Sequence, residues 1–294
     1  MPESTPSVAR RALLTHAWGA LGALCTSLST PAWALRPRAD SPRVGIDPLL
    51  VDTGLAARWG AAMRRDLGWA AQWETAGSSQ VLQQLESGDV EAGLFLSHPR
   101  AVQLEKDGLI HDRRRLARTE VWLVGPANDP AGIRTEKDPA RALAQVLAAR
   151  AAGVVNWQLG LPGEPGVTDG PPNQDSPLAQ LVTQLAGLPA NGLPRPMRQG
   201  GGPASSGVVT GAPTYRLVTQ AAWLRLGAAA RGPRGQAQDT RIWFQGHPSL
   251  VLYAEVARSF RAKHPGGRLL VDWLDRPLAR GALRGAAGWQ NAKG

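Results

Sequence analysis

The chain is 294 residues long, with 43% hydrophobic and 19% charged side chains, a balance that excludes a disordered chain and leaves room for one large domain or two moderate ones. Its formal charge is +10, but the basic residues fall in short clusters such as Arg113-Arg114-Arg115 rather than a long stripe interleaved with aromatics, so nucleic-acid binding is not expected. A lone Cys25 and five scattered His residues exclude a disulfide framework and the common zinc spacings, and no metal or cofactor is expected.

The N-terminus reads Arg10-Arg11, then a mostly apolar stretch from Ala12 to Leu28, then Ala32-Trp33-Ala34. A positive start, a short apolar centre and an A-x-A site are the parts of a secretory signal peptide, here residues 1–34 with cleavage after Ala34. Its removal takes the only cysteine with it. No other stretch approaches the roughly 18 apolar residues of a membrane span, so a soluble periplasmic product is expected.

From Arg43 onward, short apolar runs alternate with stretches of helical period, the pattern of an α/β fold with parallel strands. Val44-Gly45-Ile46 reads as a strand. Thr53 to Leu67 reads as a helix capped by Asp52 or Thr53, with Leu55, Trp59, Met63 and Leu67 on one face. Trp69–Glu74 is a second strand, Ser78 or Ser79 opens a helix over Gln80–Leu85, and Glu91–Leu96 is a third strand ending at Ser97-His98-Pro99. The Ser-His pair has no GxSxG elbow and no placed acid, and neighbours at a strand end point to opposite faces, so no catalytic group is assigned there or elsewhere.

Glu120–Val124 is a fourth strand, followed by turn residues at Asn128-Asp129-Pro130 and a helix over Pro139–Ala152. Gly153–Trp157 opens a second lobe, and Ser176 and Pro177 supply the N-cap and first position of a further helix. The segments from Gln158 to Asp175 and from Leu188 to Gly207 are dense in Gly and Pro and read as loops; Gly200-Gly201-Gly202 lacks the Lys and Ser/Thr of a phosphate loop. Arg241–Gln245 is expected to return the chain to the first lobe, and Leu252–Phe260 and Leu269–Trp273 to form late helices.

The stretch Glu105-Lys106-Asp107-Gly108-Leu109 through Arg113-Arg114, together with Glu-Val-Trp-Leu-Val-Gly-Pro-Ala-Asn-Asp-Pro-Ala-Gly-Ile over 120–133, resembles the periplasmic tungstate-binding proteins of ABC importers. Asp52-Thr53-Gly54-Leu55, Ala76-Gly77-Ser78-Ser79-Gln80, Gly246-His247-Pro248 and Val271-Asp272-Trp273-Leu274 are similar to further segments of that family. The resemblance implies the two-lobed type II periplasmic-binding-protein fold, each lobe a mainly parallel sheet flanked by helices, with residues 43–127 as lobe 1, 128–240 as lobe 2 and 241–294 as the return to lobe 1. It implies a monomer that captures a small ligand, an oxyanion of the tungstate or molybdate type, and delivers it to an ABC permease in the inner membrane. The alternative is the same fold reused as a ligand sensor or accessory protein with changed specificity.

In that family a Thr/Ser-rich loop follows the first strand, where this chain has Ile46-Asp47-Pro48-Leu49, and a second-lobe Arg is matched here only by Val155-Asn156-Trp157. The resemblance therefore gives Asp47, Thr53, Ser78, Ser79 and Ser97 as first-lobe ligand contacts and Asn156 and Thr219 as second-lobe contacts. A carboxylate at position 47 would repel a tungstate.

Overall fold

The computed structural model describes residues 41–161, 176–187, 212–226 and 240–292. The expected signal peptide, residues 1–34, and most of the two Gly/Pro-rich loops lie outside them.

The first lobe opens with strand β1 (Arg43–Ile46), whose last three residues are buried between two parallel neighbours, β2 (Gln72–Thr75) and β3 (Ala92–Leu96). A chain buried on both faces reads as a continuous apolar run, and Ala92-Gly93-Leu94-Phe95-Leu96 is buried throughout. Two helices bridge β1 and β2: α1 (Pro48–Asp52), capped by the Asp47 side chain, and α2 (Leu55–Leu67). The expected cap by Asp52 or Thr53 is replaced by Gly54, which sits at φ 78° and separates the helices. Helix α3 (Ser78–Ser87) joins β2 to β3, and α4 (Pro99–Lys106) follows β3, capped by the His98 side chain.

Strand β4 (Ile110–Pro126) is long enough to serve both lobes. Its first part pairs antiparallel with β8 (Val251–Ser259), and its last part pairs with β6 (Thr214–Thr219) on one side and β7 (Thr240–Phe244) on the other. The order across the molecule is β2-β1-β3-β8-β4-β6-β5, where β5 (Asn156–Leu159) runs parallel to β6. Parallel strands thus form the outer parts of both lobes, and antiparallel pairs carry the chain through the middle. Helices α5 (Pro139–Ala151), α6 (Pro177–Ala186) and α7 (Gln220–Leu226) cover the second lobe, with α6 packed on α5 and α7 on β4 and β6. Helices α8 (Gly266–Leu274) and α9 (Pro277–Gly281) and the short β9 (Gln290–Asn291) complete the chain, β9 pairing with β4 at Ala117 and Arg118.

Two expectations are corrected. Of Leu252–Phe260, all but Phe260 belongs to β8, a central strand buried at Leu252, Ala254, Val256 and Ala257 among others; burial on both faces removes the alternation that would have marked it as a strand. Residues 241–245, expected to re-enter the first lobe, lie in β7, which pairs with the second-lobe part of β4. The return is made by β8.

One buried cluster runs from Val44 and Trp59 in the first lobe through Trp122 and Leu143 to Val182 and Tyr215 in the second; another, with Val81, Leu85, Phe95 and Ile110, fills the opposite face of the first sheet under α3 and α4. No helix among the described residues is long and apolar enough to cross a membrane.

Candidate functional site

Strand ends of the first lobe converge at Asp47, Ser78 and Ser97. Asp47 is 5% exposed, and its carboxyl group accepts from three donors. Oδ1 accepts from Leu49 N at 2.9 Å, and Oδ2 accepts from Ser78 N at 3.0 Å and Ser78 Oγ at 2.6 Å. Ser78 Oγ in turn accepts from Leu96 N at 2.8 Å, so one carboxylate and one hydroxyl join the ends of β1, β2 and β3. Burial raises the Asp47 pKa, and the Ser78 hydroxyl and the Leu49 and Ser78 amides pull against that rise. Backbone N–H groups at helix starts attract anions. Here the group they hold is the protein's own carboxyl.

The other expected contacts divide in the same way. Thr53 is buried, donates to Leu49 O at 2.6 Å and accepts from Trp289 Nε1 at 2.9 Å. Asn156 Nδ2 donates to Ala212 O at 3.1 Å, and Thr219 Oγ1 accepts from Ala222 N at 3.2 Å, where it opens α7. Ser79 is half-buried at the start of α3.

Ser97 alone of the seven lines a groove of about 710 Å3 that opens between the two lobes. One wall comes from the first lobe: Ser97, His98 and Val102 at the end of β3 and on α4, Arg113 and Arg115 on β4, and Val251, Leu252 and Glu255 on β8. The other wall is α6, with Pro177, Gln180, Leu181, Thr183 and Gln184. A smaller hollow of about 520 Å3, around Arg280, Arg284 and Trp289, is lined only by residues between Pro277 and Asn291.

The charged floor of the groove was legible only as a basic cluster. Glu255, with a side chain 2% exposed, is bound by Arg113 Nη1 at 2.8 Å; Arg113 also reaches Glu105 at 2.7 Å. Arg115 stands directly opposite Glu255 in the β4–β8 register, with Nε 3.5 Å from Oε1, and its guanidinium lies 4.3 Å above the Tyr253 ring. Ser97 Oγ lies 3.2 Å from the same Oε1. Register shifts in β4 on both sides of the Arg114–Arg115 pair, and Asp112 at φ 56°, let Arg113 and Arg115 both meet one acid.

No family model matches the chain, and neither does any curated protein. Solved structures do match in fold. A periplasmic protein with a suggested metal-binding role is 18% identical with a TM-score of 0.61, over 86% of this chain and 96% of its own. The tungstate-binding protein TupA of Desulfovibrio alaskensis is 18% identical with a TM-score of 0.60, over 86% and 99%. The tungstate ABC transporter protein of Geobacter sulfurreducens is 17% identical with a TM-score of 0.55, over 84% and 98%. At these identities the likeness establishes a shared fold, the type II periplasmic-binding-protein arrangement of two α/β lobes.

Proposed function

We propose that the protein is an extracytoplasmic solute-binding protein that holds a small charged solute between its lobes and passes it to an ABC permease in the inner membrane. The observation that carries this reading is the groove itself, with strand ends of the first lobe on one side and α6 of the second on the other. A ligand touching both walls favours the closed arrangement by its differential affinity, and no bond need be made or broken. Ser97, Arg115, Gln180 and Thr183 are the proposed contacts, with Asp47, Ser78 and Thr53 holding the loops behind them.

The narrower reading is tungstate or molybdate, and its tungstate half draws support from the names of two structural neighbours. Against it stands Asp47, whose carboxylate fills the cradle of N–H groups at the ends of β1 and β2. The anionic part of the solute is better placed at Arg115, the more exposed of the two groove arginines.

Thermal unfolding of the purified protein against tungstate, molybdate, sulfate, phosphate, organic acids, amino acids and sugars tests the proposal. A ligand at about 100 times its Kd stabilises by about 2.7 kcal/mol, so one class should raise the midpoint by several degrees. A flat response to the whole panel would remove the solute-binding reading.

A further inference from the structure

We infer that the groove recognises an organic monoanion, a single carboxylate carried on an apolar skeleton, in place of a compact tetrahedral oxyanion. The inference rests on the solute-binding reading and names its substrate class. Size points to it first. The groove holds about 710 Å3, within the ~300–1,000 Å3 typical of sites for larger organic ligands. A four-oxygen ion fills roughly 120 Å3, counting each oxygen at about the 30 Å3 share of a water molecule. Such an ion, once out of water, also needs donors on several sides. The amides of Leu49 and Ser78 at the strand ends are already taken by the Asp47 carboxyl group.

Charge narrows the class further. Arg113, Arg115 and Glu255 are the charged residues that line the groove, so its wall carries one net positive charge. The two arginines are unequal. Arg113 is fixed between Glu105 and Glu255, at 2.7 Å and 2.8 Å, and its side chain is 20% exposed. Arg115 makes one ion pair among the described residues, the 3.5 Å approach of Nε to Glu255 Oε1, and its side chain is 59% exposed. That pair uses Nε and leaves Nη1 and Nη2 for a solute, while the Tyr253 ring, 4.3 Å away, supports the guanidinium from one face. A planar fork of this kind fits the two oxygens of one carboxylate. A second negative charge would find only Arg113, already shared by two acids. Beyond Arg115 the lining turns apolar, where a carbon skeleton would lie. Val102 on α4 is 40% exposed, an uncovered apolar side chain, and Pro177 and Leu181 belong to the opposite wall. Hydrocarbon placed between them would remove apolar surface from water on both walls.

The experiment uses isothermal titration and thermal unfolding of the full chain with straight-chain and aryl-substituted monocarboxylates, their primary amides, the dicarboxylates of equal length, and tungstate, molybdate and sulfate. At least one monocarboxylate is expected to bind. Its amide, which lacks the charge, and the matching dicarboxylate, which sets a second charge against the apolar wall, are each expected to bind about tenfold more weakly or worse. Within the straight-chain acids each added methylene should tighten binding about threefold to fourfold until the groove is filled. Arg115→Met should weaken the monocarboxylate about tenfold and leave the amide unchanged. That exposed substitution keeps the Arg113–Glu255 pair in place, and Val102→Asn, also exposed, should lower the gain per methylene without touching the arginine. An acid and its amide binding equally would overturn the monoanion, since the carboxylate would then be unread, and so would a dicarboxylate that binds as tightly or a series flat in chain length. Binding of tungstate, molybdate, a sugar or an amino acid with no response to monocarboxylates would overturn it and leave the solute-binding reading standing. Silence toward all of these ligands would bring down the solute-binding reading as well.

Discussion

Asp47 and Asp129 show how the same side chain is pushed in opposite directions by its surroundings. Burial raises Asp47 against the hydrogen bonds it accepts. At Asp129 burial also raises the pKa, but Ile133 N at 3.0 Å, Tyr215 Oη at 2.8 Å and Arg134 N at 2.7 Å outweigh it, and the carboxyl ends below its ordinary value. A depressed carboxylate contributes stability that is present above its unfolded pKa and lost as pH falls through the folded one. Asp129→Asn, which tolerates the φ of 52°, should therefore cost about 1–2 kcal/mol near neutrality. The gap to wild type should close as the pH drops below the carboxylate range, a trend that urea unfolding at several pH values would reveal. Asp47→Ala strands Leu49 N, Ser78 N and Ser78 Oγ in a buried site and should cost about 1–3 kcal/mol by the same measurement. The groove ion pairs separate by exposure. Arg113→Met leaves Glu255 buried with one distant cation and should cost about 3 kcal/mol, whereas Arg115→Met should cost about 1 kcal/mol or less. Equal losses would mean that Arg115 shares the burden of the buried acid.

Elements were legible in the sequence where local chemistry decides them. Ser176 and Pro177 sit at the N-cap and first position of α6, and Pro139 opens α5, as their backbone preferences require. The strand over Glu91–Leu96 appears as β3 within one residue. What escaped was decided by partners distant in the chain. Val-Leu-Tyr-Ala-Glu-Val-Ala-Arg-Ser becomes β8 because β3 and β4 flank it, and Glu255, read inside a helix, could not be seen opposite Arg115. Helix α4 was missed because its cap is the His98 ring, which accepts from Arg100 N. Of the expected site, Ser97 lines the groove, while Asp47, Thr53 and Thr219 are turned to backbone groups that no spacing rule identifies. Glycine marks where elements approach closely. A Cβ on Gly93 would lie 2.6 Å from Val81 Cγ1 and 2.9 Å from Leu85 Cδ1, so Gly93→Ala should push α3 off β3 and lower stability by about 1–3 kcal/mol. Loss of less than that in denaturant titration would show that α3 slides without strain.

Across the whole molecule, the lobes are tied by more than β4. The C-terminal segment runs past the point where β4 leaves the first sheet, and β9 pairs with Ala117 and Arg118 there. Trp289 Nε1 donates to Thr53 Oγ1 behind α1, Ala221 N at the start of α7 donates to Thr119 Oγ1, and Arg225 Nε donates to Asp52 O. The buried cluster that includes Trp289 and Ala221 continues into both lobes, so the first and second lobes share a core as well as a strand. Shared cores unfold together. Gly288 is the tightest point of this tie: its φ is 74°, and an added Cβ would meet Ala221 N and Cα at 2.5 Å, backbone atoms that cannot rotate away. Gly288→Ala therefore combines a disfavoured backbone conformation with a clash and should lower stability by about 2–4 kcal/mol. Because the strain falls between elements of one cooperative unit, the variant should still unfold in a single urea transition, with a lower midpoint and an unchanged slope. Two resolved transitions, or a shallower slope, would mean that the lobes are held together only through β4 and that the C-terminal segment carries no coupling between them.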